Sequence, residues 1–527
     1  MTAENKTSLK GQIFKNMASN YAMTGAGLLL GILLVPFMIH KLGTESFGLV
    51  SMVESLVLLY EMVTVSVRQA LSRYATFALS AGRREEFTEY LSTGRVLMFG
   101  SSVVVMTVGV AVSLFFTSLF RVPDGQGVQA QWLFFFMTLA FAASIPNSVF
   151  WAVLYAHQRF DLINSASSIA MIVRAVALFC WFSFAPAQWA GLTAYGVIYC
   201  IVVLADNMVV YFWHFKIMPG LRIGLSSFRR ERVRDIVSYS VHTSIARLST
   251  ILVSNTVQIC MNVLWGPSMN AFYAVAQKIP IYLRRIFVEP IWTLTPTFTK
   301  LVAENDQIRV ERLFFSSSKI LSIVTIPICL ACLFLGDTII HLWVGPGFEM
   351  SASLMKLFVI PMIFSMQLTV AGCLNSAHGK VKVPSLTGIV AAVVNAGSGF
   401  LLATVWKMGL FGFAWANLVV SLLYTTFFAG VYTCRISNIS ARKYFIETVA
   451  GPFFLSMVLW GGFFFGWKYF ATGKEFSPAF LIETFVLTAV YTWICARFLL
   501  SPDERRLVRE AVSGATIFLK KGISHEA

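Results

Sequence analysis

Charge is what this sequence has least of. Only 13% of its 527 residues are Asp, Glu, Lys or Arg, while 57% are hydrophobic; ordinary soluble domains carry about 25% charged residues. A water-soluble fold could not enclose so much apolar side chain, so the chain reads as a polytopic membrane protein. Catalytic signatures are absent too. The seven histidines are dispersed, and no HExxH, Walker A, GxSxG or glycine-rich phosphate loop occurs. The eight cysteines are scattered, and the one CxxC, Cys329 and Cys332, sits in IPICLACLFL without a second pair. It reads as small-residue packing rather than a metal or redox site. No enzyme, metal or cofactor is expected. The polar, basic start MTAENKTSLKGQIFKNMASN is followed by no small-residue cleavage site, so the first apolar run is expected to be retained.

What is present is a series of long apolar runs. A helix needs roughly 20 residues to cross a bilayer. Fourteen such runs can be placed, near 17–39, 46–67, 96–119, 132–156, 163–184, 190–213, 239–263, 268–294, 317–336, 353–375, 383–405, 409–432, 447–468 and 479–500. The expected fold is therefore all-α, with about fourteen transmembrane helices. With the N-terminus inside, only Lys41, Arg121, Lys407, Lys468 and Lys474 of the 41 Lys and Arg fall in exterior loops. Basic residues gather on the cytoplasmic side, so both termini are expected there. Topology accounts for the net charge of +16, and no nucleic-acid partner is needed.

Internal repetition organises the runs. LGTESFGLV (42–50) opens span 2 and WGPSMNAFY (265–273) opens span 8, with Gly43 and Gly266 lying 223 positions apart. The same offset lays RYATFALSAGRREEF, a cytoplasmic loop from Arg73, over PTFTKLVAENDQIRV from Pro296. LYAHQRF matches NSAHGKV at an offset of 221, and AGLTAYG matches MGLFGFA at 218. Spans 1–6 and 7–12 thus read as two copies of one unit. Six crossings are even, which makes the repeats parallel. The expected organisation is an N-lobe over 1–213, a basic linker over 214–238, a C-lobe over 239–433, extra spans over 434–500 and a cytoplasmic tail over 501–527. In that tail Ser501, Pro502 and Glu504 form a helix-start signature, followed by amphipathic spacing.

Ionisable residues inside spans are costly and face a cavity or a partner. Span 8 contains VAQKIPIYLRRIFVEPIW (275–292). At 1.5 Å per residue, Lys278 lies roughly 15 Å from its exterior end. Helical rotation sets Lys278, Tyr282, Arg285, Glu289 and Trp292 on one stripe, and Arg285 can pair with Glu289 at i,i+4. Arg284 points elsewhere, and snorkelling is the competing role for both arginines. Pro280 and Pro290 flank this polar stripe. Arg174 in span 5 and Arg247 in span 7 are further buried cations. Span 2 carries Glu54, Glu61 and Arg68 at i, i+7 and i+14, and Glu61 corresponds to Arg284 by the repeat offset. Lys278, Arg174, Arg247 and Arg285, with Tyr282, would bind an anionic, phosphate-bearing ligand. Glu54, Glu61, Arg284 and Glu289 are gating or coupling candidates.

SLKGQIFKNMASNYAMTGAGLLLGILLVPFMIHKLGTESFGLVSMVESL, with Pro36 late in span 1 and an LGxxxFG turn, resembles the start of bacterial polysaccharide-transporter flippases of the O-antigen type. These belong to the multidrug/oligosaccharidyl-lipid/polysaccharide exporter superfamily. AFYAVAQKI and PTFTKL look like the second-half counterparts, and the resemblance covers about residues 10–435. It implies two six-helix lobes around a cavity lined by spans 1, 2, 7 and 8, working by alternating access. It also implies a substrate, an undecaprenyl-diphosphate-linked oligosaccharide moved to the outer leaflet of the bacterial inner membrane for exopolysaccharide or lipopolysaccharide biosynthesis. A cationic lumen would receive the anionic diphosphate, with membrane lipids and polysaccharide polymerases as further partners. Family members often carry Asp and Gly near the end of span 2, where this chain has Thr64 and Ser66. The competing class is a cation-coupled multidrug exporter of the same superfamily. That chemistry wants carboxylates, and spans 1 and 7 have none.

Overall fold

A computed structural model describes residues 3–186, 189, 191–470, 486–487, 490–491, 493–502 and 504–505, without the side chains of 3–14, 17, 62–63, 241–256, 426, 464, 466–470 and 496. Every element among the described residues is helical. In chain order the helices are α1 (Ala3–Leu42), α2 (Thr44–Leu59), α3 (Glu61–Ser80), α4 (Arg84–Leu114), α5 (Phe116–Leu119), α6 (Gly127–Ala156), α7 (Phe160–Phe184), α8 (Leu192–Ile217), α9 (Arg230–Trp265) and α10 (Pro267–Phe287). A 3-10 stretch, Glu289–Leu294, leads to α11 (Thr295–Ala303), α12 (Gln307–Phe334), α13 (Gly336–Val344), α14 (Glu349–Val359), α15 (Met362–Ser365), α16 (Thr369–Ala377) and α17 (Lys382–Thr404). Then come α18 (Leu410–Ser421), α19 (Gly430–Ile436), α20 (Ala441–Tyr444) and α21 (Gly451–Phe470).

Nine helices among the described residues are long and apolar enough to cross a membrane, and up to eleven if each of two bent pairs is one span. The chain is thus a multi-pass membrane protein of the expected class. The expected number, fourteen, is not reached by that measure. The helix α10 has the length, but Lys278, Arg284 and Arg285 make it too polar, and much of the run 479–500 lies outside the described residues.

Residues with left-handed backbone lie in the turns between helices, and five pairs of them recur. Gly43 (φ 83°) pairs with Gly266 (φ 94°), Gly82 (73°) with Asn305 (55°), and Gly125 (74°) with Gly347 (89°). Gln158 (56°) pairs with Gly379 (68°), and Gly220 (89°) with Asn438 (54°). The separations are 223, 223, 222, 221 and 218 positions, the same drift as in the sequence matches. A left-handed residue after the last turn is how helices commonly stop.

The chain divides into two compact units, Met1–Lys278 with Trp343–Ser351 and Ala392–Phe413, and Ile279–Leu342 with Ala352–Ala391 and Ala414–Ala527. In the first, α6 runs along α8 and α4, α1 along α7, and α9 along α2 and α3. Its core gathers Leu71, Phe87, Leu91, Met98, Val149 and Val153. At Gly48, α2 meets α10 backbone to backbone: a Cβ there would lie 1.9 Å from the Pro267 carbonyl oxygen and 2.9 Å from the Ala271 nitrogen. Alongside, the Ser268 hydroxyl donates to Glu45 at 3.0 Å. The Asn262 amide donates to the Arg121 carbonyl and accepts from its N–H, both at 2.9 Å.

In the second unit, Phe298, Phe314 and Leu374 pack with Tyr444, and α12 runs along α21. Ser501 and Glu504 form the reciprocal cap read from the sequence: the Ser501 N–H donates to Glu504 at 2.7 Å, and the Glu504 N–H to the Ser501 hydroxyl at 3.3 Å. The Glu504 carboxylate also accepts from Ser316 and Lys319 of α12, each at 3.3 Å. The rest of the expected amphipathic tail lies outside the described residues.

Two spans differ from the straight helices expected. Span 2 is bent by 48° between Thr44–Leu59 and Thr64–Ser80, where the Tyr60 N–H tightens onto the Val57 carbonyl at 3.1 Å. Glu54, Glu61 and Arg68 therefore do not share one straight helical face. The segment from Arg73, expected as a loop, is the last two turns of α3, a turn over 81–83 and the start of α4. In span 8, α10 stops at Phe287 and a 3-10 stretch begins at Glu289, with Pro290 its second residue. Glu289 and Trp292 thus leave the stripe begun by Lys278.

Candidate functional site

The bend that ends α2 re-aims the next helix. In α3, Val65, Arg68, Gln69, Ser72, Arg73, Thr76, Phe77 and Ser80 recur at three- and four-residue intervals and line one side of a cavity of about 1150 Å³. The opposite face carries Ala70, Leu71, Ala75 and Ala78, all fully buried. Such spacing is how a helix separates a packed face from a polar one. Small residues on the packed face let α4 come close: a Cβ on Gly94 would lie 2.7 Å from Leu71. Trp151 and Tyr155 of α6 and Tyr239 of α9 complete the wall with Tyr74, all within the first unit.

The wall combines cations with ring faces. The Arg73 guanidinium sits 4.7 Å from the centroid of Tyr239, and that of Arg68 sits 6.0 Å from Trp151, both within cation–π range. Tyr239 meets Tyr74 edge-on at 6.1 Å, and Tyr74 stacks on Tyr90 at 5.0 Å. Arg232 lies 4.7 Å from the Tyr90 ring. Arg232 also pairs with Glu86 at 3.1 Å and Glu89 at 3.2 Å, so α4 and the start of α9 are tied beside the cavity. None of the described lining residues is acidic. The Ser72 hydroxyl, 5% exposed, has no hydrogen-bond partner among the described residues.

A second polar cluster joins α2, α3, α7 and α8. The Tyr195 hydroxyl donates to Glu54 at 2.9 Å, and the Arg174 guanidinium lies 5.3 Å from the Tyr199 ring. Arg174, Glu54 and Glu61 all act electrostatically on the Tyr199 hydroxyl. The structure thus brings together three residues singled out from the sequence: Glu54, Glu61 and Arg174. Lys278 is half-buried. Tyr282, Arg284, Arg285 and Glu289 belong to the second unit, where Arg284, Arg285 and Glu289 are exposed. The expected Arg285–Glu289 ion pair does not form: α10 ends at Phe287, between the two residues, and Glu289 already belongs to the 3-10 stretch. The Arg247 side chain lies outside the described residues.

Sequence reasoning missed Arg73, Tyr74, Trp151, Tyr155 and Tyr239. The readable signal was the interval from Arg68 to Arg73, with Gln69, Ser72 and Thr76 at helical steps between and beyond them. Among the described residues no group of three or more His, Cys, Asp or Glu could hold a metal.

The comparisons with known proteins agree with this architecture. Residues 13–302 match the polysaccharide biosynthesis protein family. The uncharacterized membrane protein EpsK of Bacillus subtilis (strain 168) is 20% identical over 453 residues, covering 84% of this chain and 87% of EpsK. Among solved structures, the lipid II flippase MurJ in an inward closed conformation superposes with a TM-score of 0.65 at 13% identity, over 91% of this chain and 97% of that one. An inward-facing multidrug resistance MATE family transporter of the MOP superfamily gives 0.63 at 14%, over 79% and 96%. The fold is therefore that of the MATE and MurJ transporters, and by the match over more than half its length the chain belongs to the polysaccharide biosynthesis protein family.

Proposed function

We propose that this chain is a flippase that moves an undecaprenyl-diphosphate-linked oligosaccharide across the bacterial cytoplasmic membrane by alternating access, in exopolysaccharide or O-antigen biosynthesis. The observation that carries the proposal is the α3 cavity, large enough for a saccharide head and bearing Arg68 and Arg73 among aromatic rings. Guanidinium groups bind phosphate oxygens in pairs. On this reading Lys278, Arg174, Arg247, Arg285 and Tyr282 are further anion-binding residues. Residues 1–213 and 239–433 are the two lobes, both termini are cytoplasmic, and polymerases take the product outside. Glu54, Glu61, Arg284 and Glu289 gate or couple the cycle. An outward-moving anion is helped by the inside-negative potential, about 2.3 kcal/mol per charge per 100 mV.

One observation favours a second reading. Glu54 and Glu61 beside Tyr195 and Tyr199 are carboxylates of the kind a cation-coupled drug exporter needs. Translocation of a fluorescent undecaprenyl-diphosphate oligosaccharide in proteoliposomes separates the two. Wild type should flip the lipid, and Arg73→Gln, Arg174→Ala and Lys278→Ala should each slow it by about tenfold or more. Wild-type inactivity on that lipid, with proton- or sodium-driven export of a soluble dye, would establish the exporter instead.

A further inference from the structure

The cations of the α3 cavity rest against ring faces. Arg73 lies over the face of Tyr239 at 4.7 Å, and Arg68 lies toward the face of Trp151 at 6.0 Å. Each arginine therefore covers a ring that would otherwise be an apolar platform in a polar cavity. A phosphate draws a guanidinium strongly, because charge-assisted bonds are about twice as strong as neutral ones. A cation resting on an exposed ring is held only weakly. A phosphate that takes Arg73 thus uncovers the Tyr239 face.

From this geometry, and resting on the flippase reading of the cavity, we infer that the cavity recognises phosphate and saccharide only as parts of one molecule. The phosphate takes the arginines, and the sugar ring lays its apolar C–H face on the ring just vacated. A free sugar must displace a guanidinium to reach the ring and gains little. Free phosphate takes the guanidinium but leaves an aromatic face bare to water. A glycosyl phosphate does both and loses neither. The cavity's specificity is then for a phosphate-linked sugar over its separate parts, with Arg73 and Tyr239 as the pair that sets it.

The test uses the full-length protein in nanodiscs with three soluble probes: inorganic phosphate, glucose and glucose 1-phosphate. Affinities come from calorimetry, and the site is mapped by amide exchange across α3. Glucose 1-phosphate should bind wild type about tenfold more tightly than either part alone. Arg73→Gln should weaken phosphate and glucose 1-phosphate, yet bind free glucose several-fold more tightly than wild type, because Tyr239 is uncovered. Tyr239→Leu should keep phosphate affinity and lose the advantage of glucose 1-phosphate. Arg73→Lys keeps the charge and should retain phosphate binding, which guards against a variant that simply misfolds. Phosphate binding without any gain for glucose 1-phosphate would overturn this inference alone, as would weaker glucose binding by a folded Arg73→Gln. If no probe alters exchange across α3, the cavity reading itself fails.

Discussion

The two copies of the repeat break their helices at different places: the first bends at Tyr60, where α10 of the second runs through, and the second breaks where α3 and α6 of the first run through. The helix α3 runs unbroken over 20 residues. Its counterpart, offset by 223 positions, is the end of α10, a 3-10 stretch and α11, divided by Pro290 and Pro296. Likewise α6 passes through Pro146 as one 30-residue helix, while Glu349–Ser365 and Thr369–Ala377 are bent by 44° with Pro361 at a break. A proline removes one helical hydrogen bond and crowds the preceding turn. Packing decides whether the helix survives it, and α6 is clasped along its length by α4 and α8. The copies also differ in chemistry: the positions of Arg68 and Arg73 fall on Ile291 and Pro296. The repeat preserves where helices end, not what their faces carry, so the paired arginines belong to the first copy alone.

The sharpest way to break this comparison is at Gly48, which faces its own counterpart, Ala271. Gly48→Ala forces a methyl onto the Pro267 carbonyl and should cost about 3 kcal/mol of stability. Ala271→Gly should cost about 1 kcal/mol. Thermal unfolding of the purified protein measures both, and equal losses would contradict the asymmetry.

A smaller effect is expected where the equivalent helices α4 and α12 are pinned. Glu504 and Lys319 expose 9% and 18% of their side chains, whereas Arg229 at Glu89 is 54% exposed. Glu504→Gln should destabilise by about 2 kcal/mol, and removing the Arg229–Glu89 pair with Arg229→Gln by about 0.5 kcal/mol. Burial pushes the Glu504 carboxyl up, but the Ser501 N–H and Lys319 outweigh it and leave it below its ordinary value of 4.5. The unfolded chain therefore takes up this proton first as pH falls. Its contribution is complete above the ordinary value and is lost as pH drops through the lowered one. The difference in melting temperature between wild type and Glu504→Gln should be largest at neutral pH and shrink on acidification.

The smallest change sharpens the contrast between α3 and its counterpart. Pro290→Ala should let α10 continue toward Leu294, altering stability by less than about 1 kcal/mol. Amide exchange across 289–294 should slow. Unchanged exchange would mean that packing, not Pro290, breaks the helix.

Much of this was legible in the sequence, for local reasons. Apolar runs without strand alternation announced helices in a membrane. The offsets from Gly43 to Gly266 onward anticipated residues whose left-handed backbone is visible in the structure. Ser501 and Glu504 announced their own cap, since a capping box needs only four residues. The cavity was less legible because it is built from distance. Tyr239 is far along the chain from Arg73, and only the packing of α9 on α3 brings them together. The bend at Tyr60 has no glycine or proline to mark it. Arg73 read as a loop residue because charge near a helix end looks like solvent to a hydropathy measure.

The hydrogen bond between Glu45 and Ser268 joins two residues 223 positions apart, the same distance that relates the two copies. In a symmetric dimer, a residue on the two-fold axis must face its own twin. Two glutamates there would repel, and two serines would lack a carboxylate to bond. Carrying both copies in one chain removes that restriction: one side is an acceptor and the other a donor, one side a bare glycine and the other the alanine that fills it. The contact is complementary because the twins were free to become unlike.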